Sequence, residues 1–209
     1  MYPDEIEEEL IIAMKKCKHV IPYFDIPIQY GNDRILKLMN RRGSVKLIKE
    51  RINKLRTMFK DAYIRTTLIV GFPYEDDSSF NDTLNLVKDV GFDSLGAFTY
   101  SKEEDTKAYD MKQVKENIKQ QRYDKLMLTQ QTIVLKKNEE RIGQYFEVLI
   151  ERYEPLFNRY VARSYMSAPD GIDGVVYIKT DEKLEIGSFV NVKIIGYKGY
   201  DLIAEINYN

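Results

Sequence analysis

The 209-residue chain balances 32 Lys+Arg against 33 Asp+Glu, for a net charge of −1 and a pI near 6.0. That balance excludes an overall electrostatic footprint for nucleic acid. The single cysteine, Cys17, excludes an internal disulfide and suits a reducing compartment. One thiol also cannot hold an iron–sulfur cluster, which takes about four cysteine thiolates, or about three with an open iron. No signal peptide is visible, and no apolar run approaches the roughly 18 residues of a membrane span, so a cytoplasmic soluble protein is expected.

Met1 to Lys18 reads as a charged helical stretch. Ile6, Leu10, Ala13 and Cys17 recur at helical spacing, so Cys17 is expected to pack rather than react. His19 is the only histidine and, without Cys or His neighbours, a poor metal ligand. Ile21 to Gln29 reads as a strand with Phe24, Ile26 and Ile28 on one face and Tyr23, Asp25, Pro27 and Gln29 on the other. Its two prolines exclude an ordinary central antiparallel strand. Gly31 breaks it, Asp33 to Asn40 predicts a short helix, and Arg41-Arg42-Gly43 reads as a basic turn. Ser44 is a plausible N-cap for the next helix, with Ile48, Ile52, Leu55 and Phe59 as its buried stripe.

Ile64 to Val70 is the strongest strand signal. Ile64, Thr66, Leu68 and Val70 alternate with Arg65, Thr67 and Ile69, and the β-branched run favours extended backbone. Gly71 and Pro73 stop it abruptly, and Asp76-Asp77-Ser78-Ser79 offers N-caps for a helix over 77–90 that ends at Gly91. A strand that breaks at glycine before a helix is a common ligand-binding edge of a parallel α/β sheet. Arg65, a charge on the less apolar face, admits two readings, a structural ion pair or a ligand contact. Asp93 to Ser101 predicts a third strand, with Leu95 and Ala97 opposite Gly96, Phe98 and Tyr100. Strand and helix thus alternate at a period of roughly 35 residues, which demands crossovers and parallel pairing. Three such strands make a partial (βα) barrel. An acidic turn at Lys102-Glu103-Glu104-Asp105 precedes a long helix from about Gln113 to Glu140, with Ile118, Tyr123, Leu126, Ile133 and Val134 as contacts.

From Gln144 the pattern changes to short alternating segments, Tyr145–Ile150, Tyr160–Ser164, Gly174–Ile178, Phe189–Ile195 and Leu202–Ile206. Turns are expected at Gly187-Ser188 and Gly196-Tyr197-Lys198-Gly199. Five short strands predict a small antiparallel barrel of OB type. Such barrels often bind RNA, but residues 141–209 hold 8 Lys/Arg and 10 Asp/Glu, a net of 8 − 10 = −2. That is the wrong sign for phosphates and points to a protein partner, with Asp170, Asp173, Asp181, Glu182 and Glu185 in the turns.

Three stretches, Tyr23-Phe24-Asp25-Ile26-Pro27-Ile28-Gln29, Asp33 to Gly43, and Ile69-Val70-Gly71-Phe72-Pro73, resemble the radical S-adenosylmethionine methylthiotransferases. The C-terminal barrel resembles their TRAM domain. Leu95 to Ser101, Ala168 to Tyr177 and Gly199 to Glu205 look most like the branch that modifies ribosomal protein uS12. The resemblance runs over almost the whole chain and implies the second half of a radical S-adenosylmethionine domain at 1–142, followed by a TRAM domain at 143–209.

Two departures stand out. The family's N-terminal cluster domain and its Cys-x3-Cys-x2-Cys loop have no counterpart here, as expected of a C-terminal portion arising by design, proteolysis or a split gene. Tyr74 stands where the family usually has glycine before the glutamate. The resemblance implies S-adenosylmethionine and two 4Fe–4S clusters as cofactors of the intact enzyme, with an electron donor. It implies transfer of a methylthio group to the β-carbon of an aspartate of uS12. It also implies cofactor contacts from Gln29 at the ribose, Thr67, Ile69 and Gly71 along the adenosine, Phe98 and Tyr100 near the adenine edge, and Arg65 at the methionine carboxylate. No catalytic or metal-ligating residue is expected in this portion, and alone it is expected to be inactive. Two alternatives are a sister enzyme that methylthiolates adenosine in transfer RNA, which would want a more basic barrel, and a non-catalytic module that scaffolds a ribosomal partner.

Overall fold

The computed structural model describes residues 1–208, with the side chain of Asp170 also outside the described residues. The chain divides into two compact units, Met1–Ile133 and Val134–Asn209.

The first unit is α/β. In chain order it contains α1 (Glu8–Lys16), β1 (Tyr23–Asp25), α2 (Asp33–Leu38), α3 (Val45–Met58), β2 (Tyr63–Val70), α4 (Asp77–Val90), β3 (Ser94–Thr99) and the first part of α5 (Glu116–Arg141). The strands form one parallel sheet in the order β1-β2-β3, with Asp25 opposite Arg65 and Ile69 opposite Phe98. The alternation in β2 is as the sequence predicts: Ile64, Thr66, Leu68 and Val70 are buried while Arg65, Thr67 and Ile69 are half-buried. The buried face packs into a core with Ile48, Ile52 and Leu55 of α3 and Phe80, Leu84 and Val87 of α4. The caps also match. The Ser44 hydroxyl accepts from the Leu47 N–H, the Asp76 carboxylate accepts from the Ser79 N–H, and Gly91 ends α4 in the left-handed region.

Three elements differ from expectation. The N-terminal helix is broken, with a 3-10 turn at Pro3–Glu5 before α1, so the apolar stripe changes phase. Ile6 and Ile11 are buried, whereas Leu10 and Cys17 are exposed. Cys17 is therefore an accessible C-cap residue and not a packed one. β1 is only three residues long, because after the Ile26 N–H bonds the Arg65 carbonyl the next bond to the β2 backbone comes from Gln29 and not Ile28. The Thr66 hydroxyl fills that gap, donating to the Ile26 carbonyl at 2.8 Å and accepting from the Ile28 N–H at 3.3 Å. Pairing resumes at Gln29, opposite Leu68.

The second unit is a closed five-stranded barrel in the order β4-β5-β6-β8-β7. Its strands are β4 (Tyr145–Glu154), β5 (Arg159–Arg163), β6 (Val176–Ile178), β7 (Phe189–Lys198) and β8 (Asp201–Ile206). The expected all-antiparallel pairing fails at one seam, since β6 and β8 are parallel. β7 also runs through the expected turn at Gly196, which is instead the site of a register shift against β8. The chain reverses at Gly199-Tyr200, after β7.

Candidate functional site

Strand, bulge and helix geometry converge at the carboxyl ends of β1, β2 and β3. There a cleft of about 370 Å³ opens, lined by Gln29, Leu38, Met39, Asn40, Arg41, Ile69, Phe72, Tyr100 and part of the 103–108 segment. Its size suits a small ligand, and apolar walls with a few polar groups are the usual composition of such a site.

Gln29 reaches the cleft through a backbone irregularity. From Asp25–Arg65 to Gln29–Leu68 the β1 side advances 29 − 25 = 4 residues and the β2 side 68 − 65 = 3, so one residue is extra. A bulge of this kind breaks simple alternation and re-aims side chains. Gln29 itself takes the left-handed conformation, with φ of 68°, and is only 9% exposed. A non-glycine held there costs on the order of 1–2 kcal/mol, and such residues cluster at ligand sites. Its backbone is fixed on both sides by bonds to the Thr67 carbonyl at 2.9 Å and from the Ile69 N–H at 2.8 Å.

The opposite wall is Phe72 against Tyr100, edge to face with centroids 5.0 Å apart. The Tyr100 N–H donates to the Val70 carbonyl at 2.8 Å, and its buried hydroxyl has no hydrogen-bond partner. Phe72 follows Gly71, whose φ of 75° requires a residue without a side chain. The sequence suggested that a ligand approaches Gly71. Instead Lys119 of α5 fills that space, since a Cβ on Gly71 would lie 2.2 Å from its Cγ.

The turn after β2 is pinned by a buried carboxylate. Glu75 accepts from the Gly71 N–H at 2.9 Å and pairs with Arg122 Nη1 at 2.8 Å, while Arg122 Nη2 reaches Asp77 at 2.7 Å. Burial pushes the Glu75 carboxyl above its ordinary range, against the opposing hydrogen bond from the Gly71 N–H and the charge of Arg122. Tyr30, buried beside Glu75, is raised chiefly by burial. Tyr74 bears the strain of this turn, with φ of 63°, where a glycine would carry none.

The other site candidates fall around this cleft unevenly. Gln29, Ile69 and Tyr100 line it together. Thr67 lies two residues before Ile69 on the same half-buried face. Phe98 stands beside Ile69 in register but is 62% exposed. Arg65 lies four residues before Ile69 and is paired with Asp25 at 2.8 Å, so its structural reading is realised in this conformation. Sequence reading missed Lys119, Glu75 and Arg122. Lys119, Arg122, Leu126, Gln130, Val134 and Asn138 are all buried at helical spacing, so the inward face of α5 is largely polar and invisible to a search for apolar periodicity.

Among the described residues no group of three or more His, Cys, Asp and Glu could hold a metal ion. With one exposed thiol, these residues do not fit an iron–sulfur cluster. In the barrel, Asp173 is buried and accepts from the Ala168 N–H at 3.0 Å, so it is not the surface acid the sequence suggested. Asp181, Glu182 and Glu185 are exposed.

Residues 2–87 match the Radical SAM superfamily model, and residues 142–206 match the TRAM domain model. Three curated relatives are ribosomal protein uS12 methylthiotransferases named RimO. That of Acetivibrio thermocellus is 45% identical over 98% of this chain and 45% of its own length. Those of Caldicellulosiruptor saccharolyticus and Clostridioides difficile are each 44% identical, over 98% and 99% of this chain and 46% of their own lengths. The chain therefore spans about half the length of the curated relatives it matches. Among solved structures, coproporphyrinogen III oxidase (HemN) from Escherichia coli, described as a Radical SAM enzyme, shares the fold. Its TM-score is 0.55 at 20% identity, covering 64% of this chain and 31% of that one. The chain is thus similar to the Radical SAM superfamily over residues 2–87, to the TRAM domain over residues 142–206, and along nearly its whole length to about half of each RimO uS12 methylthiotransferase.

Proposed function

We propose that this chain is part of a radical S-adenosylmethionine methylthiotransferase that adds a methylthio group to the β-carbon of an aspartate of ribosomal protein uS12. In this reading residues 1–142 are the second half of the radical domain and 143–209 the TRAM domain. The observation that carries it is the cleft at the strand ends, where a strained, nine-tenths buried Gln29 faces Ile69, Phe72 and Tyr100. The Phe72–Tyr100 pair on that wall fits a ligand with an aromatic body.

S-adenosylmethionine, when bound, supplies both the methyl group and the source of the radical. The residues here bind and orient it. The Gln29 amide offers a donor and an acceptor to ribose hydroxyls. Ile69 and Tyr100 enclose the base, Thr67 and Phe98 border it, and Gly71, whose side-chain space Lys119 fills, shapes the turn beneath. Arg65 serves the methionine carboxylate only by exchanging its bond to Asp25. The cluster ligands and the electron donor come from outside this sequence.

The exposed Asp181, Glu182 and Glu185 favour a basic protein partner over transfer RNA. Titration calorimetry of the whole chain against purified uS12 and against unmodified transfer RNA tests this. Salt-sensitive binding to uS12 alone is expected, and preferential binding to transfer RNA would overturn the substrate assignment.

A further inference from the structure

Lys119 is buried, with 3% of its side chain exposed, yet it lies at neither surface nor cleft wall. Its stem packs beneath Gly71, where even a methyl group would collide with Cγ. Its ammonium donates to the Tyr100 carbonyl at 2.9 Å and to Glu116 Oε1 at 2.7 Å. Tyr100 is thereby held at both ends of its residue, its N–H on the Val70 carbonyl and its own carbonyl on Lys119. The ammonium also lies 5.5 Å from the Tyr100 ring centroid, within cation–π range. One side chain therefore touches the end of β2 and the end of β3, the two strand ends that carry Phe72 and Tyr100 into the cleft. Glu116, whose side chain is 82% exposed, brings the compensating charge from the solvent side, while the Lys119 side chain itself stays buried.

We propose that Lys119 is the positioning residue of the cleft, holding Phe72 against Tyr100 so that an adenosine-sized group fits between the wall they form and Gln29. This deepens the cofactor reading above and rests on it for the identity of the ligand. An uncharged, slightly shorter side chain keeps the packing under Gly71 and loses the ammonium's bonds to the Tyr100 carbonyl and to the exposed Glu116. Lys119→Met is therefore the informative variant, with Lys136→Met, exposed on the same helix, as control.

Two readouts on the whole chain test it. Hydrogen exchange is expected to accelerate in Lys119→Met at residues 69–75 and 98–101, with α3 and the barrel strands unchanged. Titration with S-adenosylhomocysteine is expected to show a loss of affinity of roughly tenfold, the effect of one charge-assisted hydrogen bond. Unchanged exchange at both strand ends overturns the proposal. Faster exchange spread evenly through α3 and α4 also overturns it, because that marks a general structural role. If the local exchange change appears but wild type and variant both fail to bind the probe, the positioning role stands and the cofactor reading falls.

Discussion

Removing Arg122 should unmask the buried charge that holds the turn after β2. Glu75 has a side chain with 0% exposure, and Arg122, 9% exposed, is its only cationic partner at 2.8 Å among the described ion pairs. The second bond of Arg122 goes to Asp77, whose side chain is 94% exposed, so that contact contributes little. In Arg122→Met the aliphatic volume stays and the charge goes, leaving Glu75 with the Gly71 N–H as its main-chain donor. Breaking a buried pair in this way costs on the order of 3–5 kcal/mol. For a unit of this size that is a fall in melting temperature of roughly 10–20 °C.

The pH dependence follows from the direction of the Glu75 shift. Burial already holds its carboxyl above the ordinary value, and loss of Arg122 raises it further. Between the unfolded and folded values the native state binds more protons, so stability is greatest at acidic pH and falls as pH rises through the folded value. The variant should therefore be least handicapped near pH 5 and most handicapped near pH 8. Urea unfolding followed by helical circular dichroism, mainly a signal of the first unit, measures both. Adding Glu75→Gln to the variant should recover most of the loss at pH 8. A deficit under about 1 kcal/mol, or one that grows toward acidic pH, would refute the argument.

Other consequences are smaller. Tyr74→Gly should be neutral or stabilising by up to about 1 kcal/mol, because relief of the left-handed conformation is partly offset by unfolded-chain entropy, whereas Tyr74→Val should destabilise in the same melts. Thr66→Val should cost about 1–3 kcal/mol, since the buried Ile26 carbonyl and Ile28 N–H both lose their partner; exchange of the Ile28 amide should rise with it. Cys17 should react readily with a thiol reagent in the folded chain, and anaerobic reconstitution should yield no stoichiometric 4Fe–4S cluster on this polypeptide.

The legible parts of this chain were those where local pattern and tertiary environment agree. Alternation in β2 and the caps at Ser44, Asp76 and Gly91 all speak through residues within a few positions of one another. The cleft was only partly legible. Gln29 lines it because of an extra residue and a left-handed backbone, which no alternation rule foresees. Gly71 looked like an open approach for a ligand, and only the fold reveals that Lys119, 48 positions later in the sequence, occupies it. The inward face of α5 hid for a related reason. It buries a lysine, an arginine, a glutamine and an asparagine, each bonded to a partner distant in sequence, such as the Phe92 carbonyl that accepts from Gln130 Nε2. In the barrel, short strands were readable but the β6–β8 parallel seam was not, since these two strands are not consecutive and their pairing is set by closure of the barrel.

The central claim is that the cleft at the ends of β1, β2 and β3 receives the adenosine end of S-adenosylmethionine. Amide shift mapping of the isotopically labelled chain during titration with S-adenosylmethionine tests it most directly. The account predicts perturbations centred on Gln29, Ile69, Phe72 and Tyr100, weakened by Gln29→Ala. Saturable shifts centred instead on the separate pocket of Tyr2, Glu5 and Arg42, or no shifts at millimolar ligand, would contradict it.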